Sequence, residues 1–345
     1  MERTDAYLSL QKQGLPVAKI ERIIKNGAAP GGSLSIISNN EIKSLAFGYF
    51  DDSNQNLVTP HTLYDLASIS KLFTTALILR LQESDQLSIE DHCSKYLANF
   101  SNSEVNIRDL LTHRVDFGVS LSEYREKSSD SDNLKKSLES IQPPVFPSSS
   151  IHYANLGFIY LGNIIEKVGG KSLDVEMNNL FNDLHLNETT TGVNIEMNNI
   201  DTPITEVIQG NPIHSQTHDE TARILGGIAG NAGVFSSAED LARFGKKWLD
   251  GSIVQSDTLK EIVFRDYDIS GQKPQGLGWW MRLPSSNGEI STPNIYSHTG
   301  YTGSILAINP ENGTVCAFTC NRTFFGRNNM QQKEIWELLM NFIQQ

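Results

Sequence analysis

Hairpin signals lie near both ends of this 345-residue chain, and a sheet that draws strands from both termini leaves few architectures open. Near the start, Ser33 to Ile37 and Ile42 to Tyr49 read as strands joined by the polar turn Ser38-Asn39-Asn40-Glu41. Near the end, Ser304 to Ile308 and Thr314 to Thr319 flank Asn309-Pro310-Glu311-Asn312-Gly313. Val17, Ile20 and Ile24 recur at helical spacing before Pro30-Gly31-Gly32 breaks the pattern. Ile335, Leu338, Leu339 and Phe342 mark a closing helix. The expected fold class is α+β: an antiparallel β-sheet flanked by N- and C-terminal helices that cover one face.

The middle of the chain is mostly helical in pattern. Leu72, Phe73, Ala76, Leu77 and Leu79 mark a largely apolar, buried helix. Leu156 to Val168 forms another, stopped by Gly169-Gly170. Ser236-Ser237-Ala238-Glu239 has the form of a capping box, with Leu241, Phe244 and Trp248 following at helical spacing. The polar segments Ser128 to Asn133 and Asn194 to Thr205 read as loops without chemistry. The reading is a single unit over 1–345, with an α/β lobe of 1–66 and 231–345 and an inserted helical lobe of 67–230.

Charge and composition exclude some partners. Lys plus Arg is 28 and Asp plus Glu is 40, a net charge of −12, and no basic run opposes that field, so nucleic acid is not expected. No stretch approaches the roughly 20 apolar residues that cross a bilayer, so no membrane partner is expected. Met1-Glu2-Arg3-Thr4-Asp5 lacks the basic-then-apolar form of a secretory leader, which points to the cytoplasm, though a trimmed secreted chain reads the same way. Cys316 and Cys320 fall in one strand about 13 Å apart, too far for a disulfide. Three free thiols fit a reducing compartment.

Three short motifs carry chemistry. In Ser68-Ile69-Ser70-Lys71 the hydroxyl and the amine share one face of a helix, with Ser68 at its N-terminus. A neutral amine beside a hydroxyl is a usable general base. Ser9-Lys12 and Ser270-Lys273 repeat the spacing, but only Ser68 stands between an apolar approach, Leu63-Tyr64-Asp65-Leu66-Ala67, and a buried helix. The plainer reading of Ser68 is a helix N-cap. Tyr153-Ala154-Asn155 offers a phenol to relay a proton and an amide to hold a substrate; the plainer reading is a turn with Asn155 as N-cap. His298-Thr299-Gly300 precedes the C-terminal hairpin, where small residues let a substrate lie along a strand edge; the plainer reading is a strand start with a glycine kink.

In this order the three motifs resemble the serine β-lactamase and penicillin-binding protein superfamily. The resemblance is to its class C β-lactamase-like branch of DD-peptidases and esterases, and it covers about residues 15–343. Leu110-Leu111-Thr112-His113, the run from Gly226 to Ser236, and Gly276-Leu277-Gly278-Trp279-Trp280 are similar to that branch. The resemblance implies a β-lactamase/transpeptidase-like fold and a serine hydrolase. It makes Ser68 the nucleophile that is acylated, Lys71 the base partner and Tyr153 the proton relay. Asn155 positions the substrate, and His298, Thr299, Gly300 and Tyr301 line the site. The N–H groups of Ser68 and Tyr301 would form the oxyanion hole.

Two departures bear on substrate. Enzymes specialised for β-lactams usually carry Lys where His298 stands, and an imidazole of ordinary pKa, roughly 6.5, is mostly neutral at pH 7 and anchors a carboxylate less well. Arg114-Val115-Asp116 replaces the family's common Thr-Ser-Gly after His113. An esterase or amidase on small-molecule ester, amide or β-lactam-like substrates is therefore expected. The alternatives are a β-lactamase or D-alanyl-D-alanine carboxypeptidase, or a binding or sensor protein without turnover. No metal or other cofactor is expected. His214 and His218 with Asp219 and Glu220 lack the His-Glu-x-x-His helix pattern, and Gly226 to Gly233 lacks a dinucleotide fingerprint and reads as tight backbone packing. His152 reads as a loop side chain.

Overall fold

Both hairpins form, and they meet in one five-stranded antiparallel sheet. The computed structural model describes residues 3–128, 130–198, 200–255, 257–285, 288–291 and 294–345. Strands β1 (Gly31–Ser38), β2 (Glu41–Gly48), β3 (Tyr296–Thr299), β4 (Ile305–Asn309) and β5 (Thr314–Cys320) lie in the order β3-β4-β5-β1-β2. The first hairpin turns on Asn39 and Asn40, both left-handed with φ of 50° and 61°, a conformation that asparagine tolerates. The central pairing joins the two chain ends, with Leu34 opposite Phe318 and Ile36 opposite Cys316.

Alternation along the strands divides the core in two. Leu34, Ile36, Ile305, Ala307, Cys316 and Phe318 point to one side, where the terminal helices cover them. The helices are α1 (Arg3–Lys12), α2 (Val17–Ile23), α3 (Ser70–Glu83), α4 (Asn155–Gly169), α5 (Ala238–Leu249) and α6 (Gln332–Ile343). Of these α1, α2 and α6 form the terminal layer. The sequence reading begins its first helix at Val17 and misses α1, which buries Ala6 and Leu10, packs Tyr7 partly against the same core and leaves Leu8 exposed. Met1 and Glu2 lie outside the described residues.

Leu306, Ile308, Val315 and Ala317 face the larger core, against which α5 packs. Gly245 of α5 makes that approach close, since a Cβ there would stand 2.7 Å from Val315 and 2.9 Å from Leu306. Helix α3 runs through this core with Ser70 to Leu79 buried, and Phe73 stacks on Phe244 of α5 with centroids 3.8 Å apart. Helix α4 ends at Gly170 in the left-handed region, as Gly169-Gly170 indicates.

Two local readings change. Ser237, not Ser236, caps α5 and accepts from the Asp240 N–H, because Ser236 ends a short strand and its hydroxyl is engaged with Thr189 and the Ser237 carbonyl. The segments read as loops overlap two helices, Ser131–Glu139 and Gly192–Met197, started by the side-chain caps Asp130 and Thr191. Ser129 and Asn199 lie outside the described residues. Among the described residues no helix is long and apolar enough to cross a membrane.

The glycine run is a packing device. A Cβ on Gly230 would lie 1.9 Å from the Phe158 carbonyl of α4, and the Gly230 carbonyl accepts from Thr74 of α3 at 2.8 Å. The 229–232 turn thus locks α3 and α4 at their buried crossing. Gly230→Ala should cost about 1–3 kcal/mol, the range for overpacking a filled core. Gly157→Ala, on α4 where the nearest atom is 3.6 Å away, should be neutral or gain up to about 1 kcal/mol from helix propensity. Urea unfolding of the two variants checks the difference; equal effects would contradict it.

Candidate active site

Lys71 has no exposed surface, yet its amine has three acceptors. Nζ lies 3.0 Å from Ser68 Oγ, 2.9 Å from Asn155 Oδ1 and 3.3 Å from the Asn231 carbonyl, three oxygens around one amine. The three come from separate segments: the turn before α3, the first residue of α4, and the glycine run. The plainer readings of Ser68 and Asn155 as caps do not hold. Ile69 and Ala154 occupy the cap positions, and both side chains turn to Lys71 instead.

Ser68 lies in a 3₁₀ turn, Ala67–Ile69, that leads into α3. Ala67 sits in the left-handed region at φ 46°, a conformation that costs a non-glycine residue energy unless its surroundings hold it. Asp65 does the holding. Its Oδ1 accepts from the Ala67 N–H and its Oδ2 from the His218 N–H, both at 2.7 Å, while its carbonyl accepts from Thr302 at 2.8 Å. Burial pushes the Asp65 carboxyl above its ordinary range, and the two N–H donors pull the other way.

Thr302 belongs to the turn after β3, so Asp65 also ties that turn to the serine. Gly300 is pressed against it, with room for no Cβ, which would meet the Leu66 carbonyl at 2.4 Å. Among the described residues the N–H groups of Ser68 and Tyr301 have no acceptor.

Aromatic rings close the other side. The Tyr153 ring face lies 4.8 Å from Lys71 Nζ, and the ring packs against His113 at 4.6 Å, Trp280 at 5.6 Å and His298 at 6.4 Å. Tyr153 stays 44% exposed. His298 is buried, with Nδ1 3.0 Å from the Thr299 carbonyl and its ring 5.2 Å from Trp280. Trp280 extends the sheet edge by pairing with Ser297 through two 2.8 Å backbone bonds. A cavity of about 490 Å³ opens beside Tyr153 and Asn155, walled by residues 115–122. Asp116, which departs from the family pattern, lines it.

Behind Tyr301 lies a charged network. Glu206 accepts from His218 at 2.8 Å and from Arg327 at 2.8 and 3.0 Å, and Arg327 also reaches Glu220. The His218 ring stacks 5.8 Å from Tyr301, and the Arg322 guanidinium covers Tyr301 at 4.6 Å. His218 thus serves as a buttress in this pairing with Glu206. Burial works against a charged Glu206, but the His218 and Arg327 hydrogen bonds outweigh it and hold the carboxyl down at about 2.

With this geometry, comparisons with known proteins are informative. The family model described as Beta-lactamase matches residues 18–339. The chain belongs to the beta-lactamase family. Within it, this chain is 26% identical to the Escherichia coli O157:H7 "Putative D-alanyl-D-alanine carboxypeptidase", over 93% of this chain and 91% of that protein. It is also 26% identical to the N-acetylmuramyl-L-alanine amidase of Bacillus subtilis strain 168, over 88% and 80% of the two chains. The octameric penicillin-binding protein homologue from Pyrococcus abyssi superposes with a TM-score of 0.73 at 22% identity, over 96% of this chain and 77% of that one. The fold is the β-lactamase/transpeptidase-like one, and this family member is a serine hydrolase.

The structure brings Ser68, Lys71, Asn155, Tyr153 and His298 to one site, with Gly300 and Tyr301 at its rim. The sequence reading does not single out Asp65, Asn231 or Trp280. Asp65 had a signal, being the one charge in the apolar run Leu63 to Ala67; Asn231 acts through its carbonyl, which no side-chain motif reveals. The Glu206 network generates a pH prediction. Unfolded, this carboxyl titrates near its ordinary value of 4.5; folded, near 2. Its stabilising contribution is complete above about 4.5 and is lost as pH falls through about 2. The stability difference between wild type and Glu206→Gln, from urea unfolding at pH 6 down to 2, should shrink through that window. A difference that stays constant would contradict it.

Proposed function

We propose that this family member hydrolyses small esters or amides through an acyl-enzyme on Ser68. The observation that carries the reading is the buried Lys71 amine 3.0 Å from Ser68 Oγ, held by Asn155 and Asn231. With Lys71 acting as the neutral amine, Ser68 Oγ attacks the substrate carbonyl carbon as its proton passes to Nζ. The carbonyl oxygen takes up the electron pair and is held by the open N–H groups of Ser68 and Tyr301. Collapse breaks the bond to the leaving group, which takes a proton delivered through Tyr153. Water then attacks the acyl carbon, returns its proton to the same groups, and releases the acid and free Ser68. Asn155 and the cavity beside it receive the acyl side; His298 and Thr299 line the strand edge.

Ser68→Ala should abolish turnover and covalent labelling by a fluorophosphonate while the thermal midpoint holds; full labelling of the variant would overturn the assignment. Lys71→Ala and Tyr153→Phe should each lower kcat on the order of 10²–10⁴-fold. Their double variant should fall well short of the product of the two, because they serve one proton path. Strictly multiplicative losses would separate them.

The choice of ester over drug or peptide rests on His298. Its imidazole is packed beside Trp280 with Nδ1 at a backbone carbonyl, and it replaces the lysine that fixes a substrate carboxylate in β-lactam-specialised enzymes. The names of the carboxypeptidase and amidase relatives favour a second reading, cleavage of D-alanyl peptides or related amides. Short-chain p-nitrophenyl esters, a D-Ala-D-Ala peptide and a chromogenic cephalosporin separate the two. Ester kcat/KM should exceed that for the cephalosporin at pH 7.5. His298→Lys should narrow the gap by about ten- to a hundredfold, the worth of one charged hydrogen bond. A wild-type preference for the peptide or cephalosporin would overturn the esterase reading.

A further inference from the structure

His113 stands outside the three motifs. It is nonetheless built into the site from below. It is 2% exposed and sits at φ 57° in the left-handed region, which few non-glycine residues occupy, though histidine does so more readily than most. Three contacts run from this one residue to the segment that carries Tyr153. Its carbonyl accepts from the His152 N–H at 2.7 Å. Its Nδ1 accepts from the Ala154 N–H at 3.3 Å. Its ring lies against the Tyr153 ring itself, with centroids 4.6 Å apart, and against Phe158 at 5.1 Å.

The residues on both sides of Tyr153 are thus pinned to the same side chain and backbone, and the phenol ring rests on the imidazole between them. Arg114 strengthens the arrangement. Its carbonyl accepts from the Ser148 N–H at 2.7 Å, its Nε donates to the Ser148 carbonyl at 2.9 Å, and its guanidinium reaches the buried Asp109 at 3.6 Å. The segment after His113, which departs from the family pattern, therefore fastens the start of the loop that ends in Tyr153.

We propose that His113 is the positioning residue for Tyr153, its Nδ1 and ring fixing the phenol against Lys71. The inference rests on the reading of Tyr153 as proton relay. An acceptor at the Nδ1 position is what the Ala154 N–H requires, and Asn places its amide oxygen near there, while Gln places its own near Nε2. Asn also tolerates positive φ.

The test uses p-nitrophenyl acetate with His113→Asn, His113→Gln, Tyr153→Phe and both double variants, with thermal midpoints recorded. His113→Gln should lower kcat up to about 10²-fold with little change in KM, as a misplacement near 1 Å does. His113→Asn should retain most of the wild-type kcat. In the Tyr153→Phe background, His113→Gln should cost less than about threefold, because the group it positions is already gone. Equal kcat for the Asn and Gln variants, undiminished loss in the Tyr153→Phe background, or failure of both variants to fold would each overturn the proposal. Wild-type activity in Tyr153→Phe alone would instead remove the relay reading on which it rests.

Discussion

A buried amine with no carboxylate beside it governs this molecule. Lys71 is wholly enclosed, and among the described residues no acidic side chain approaches within 4 Å of it. An unsatisfied buried polar group costs about 1–3 kcal/mol, and a charged one more. Its three neutral oxygen partners must therefore stay in place together. They belong to the turn before α3, the start of α4 and the glycine run, so the lysine joins the parts that pack closest. The backbone approach at Gly230 and the acceptors around Lys71 are two sides of one constraint: α3, α4 and the 229–232 turn have a single workable arrangement.

A second constraint acts through a carboxylate. Asp65 stabilises a left-handed Ala67 with one oxygen, holds the His218 backbone with the other, and takes the Thr302 hydroxyl on its carbonyl. The serine, the turn after β3 and the charged network behind Tyr301 are linked through this residue. Two N–H bonds offset part of the burial cost of Asp65, which still lifts its carboxyl above the ordinary range. Geometry that would otherwise fluctuate at a loop junction is set by a buried side chain.

The sheet was legible because strand periodicity and turn chemistry are local, and Asn39-Asn40 and Asn309 to Gly313 state their turns in their own residues. Helix α1 was not, since two buried residues with a partly buried Tyr7 and an exposed Leu8 give little periodic signal. The cap of α5 was displaced by one residue because Ser236 and Ser237 both suit the role, and only strand pairing with Thr189 decides between them. In the site, Ser68, Lys71, Tyr153 and Asn155 were legible as side-chain chemistry at short spacing. Asn231 was not, because a carbonyl has no residue identity, and Trp280 was not, because its place beside Tyr153 arises from pairing with Ser297. Long-range contacts decide these positions, and residue types alone do not encode them.

The pairing of Leu34 with Phe318 also has a consequence in time. A ribosome adding about 5–20 residues per second delivers β5 on the order of tens of seconds after β1. Through that interval the β1 edge that pairs with β5 is open, a state exposed to aggregation or chaperone capture. The partners of Lys71 have all emerged by residue 231, whereas His298 to Tyr301 arrive with the last strands. Everything that surrounds the Lys71 amine is thus encoded upstream of the strand that walls the site, and the Thr302 bond to Asp65 joins the two parts last.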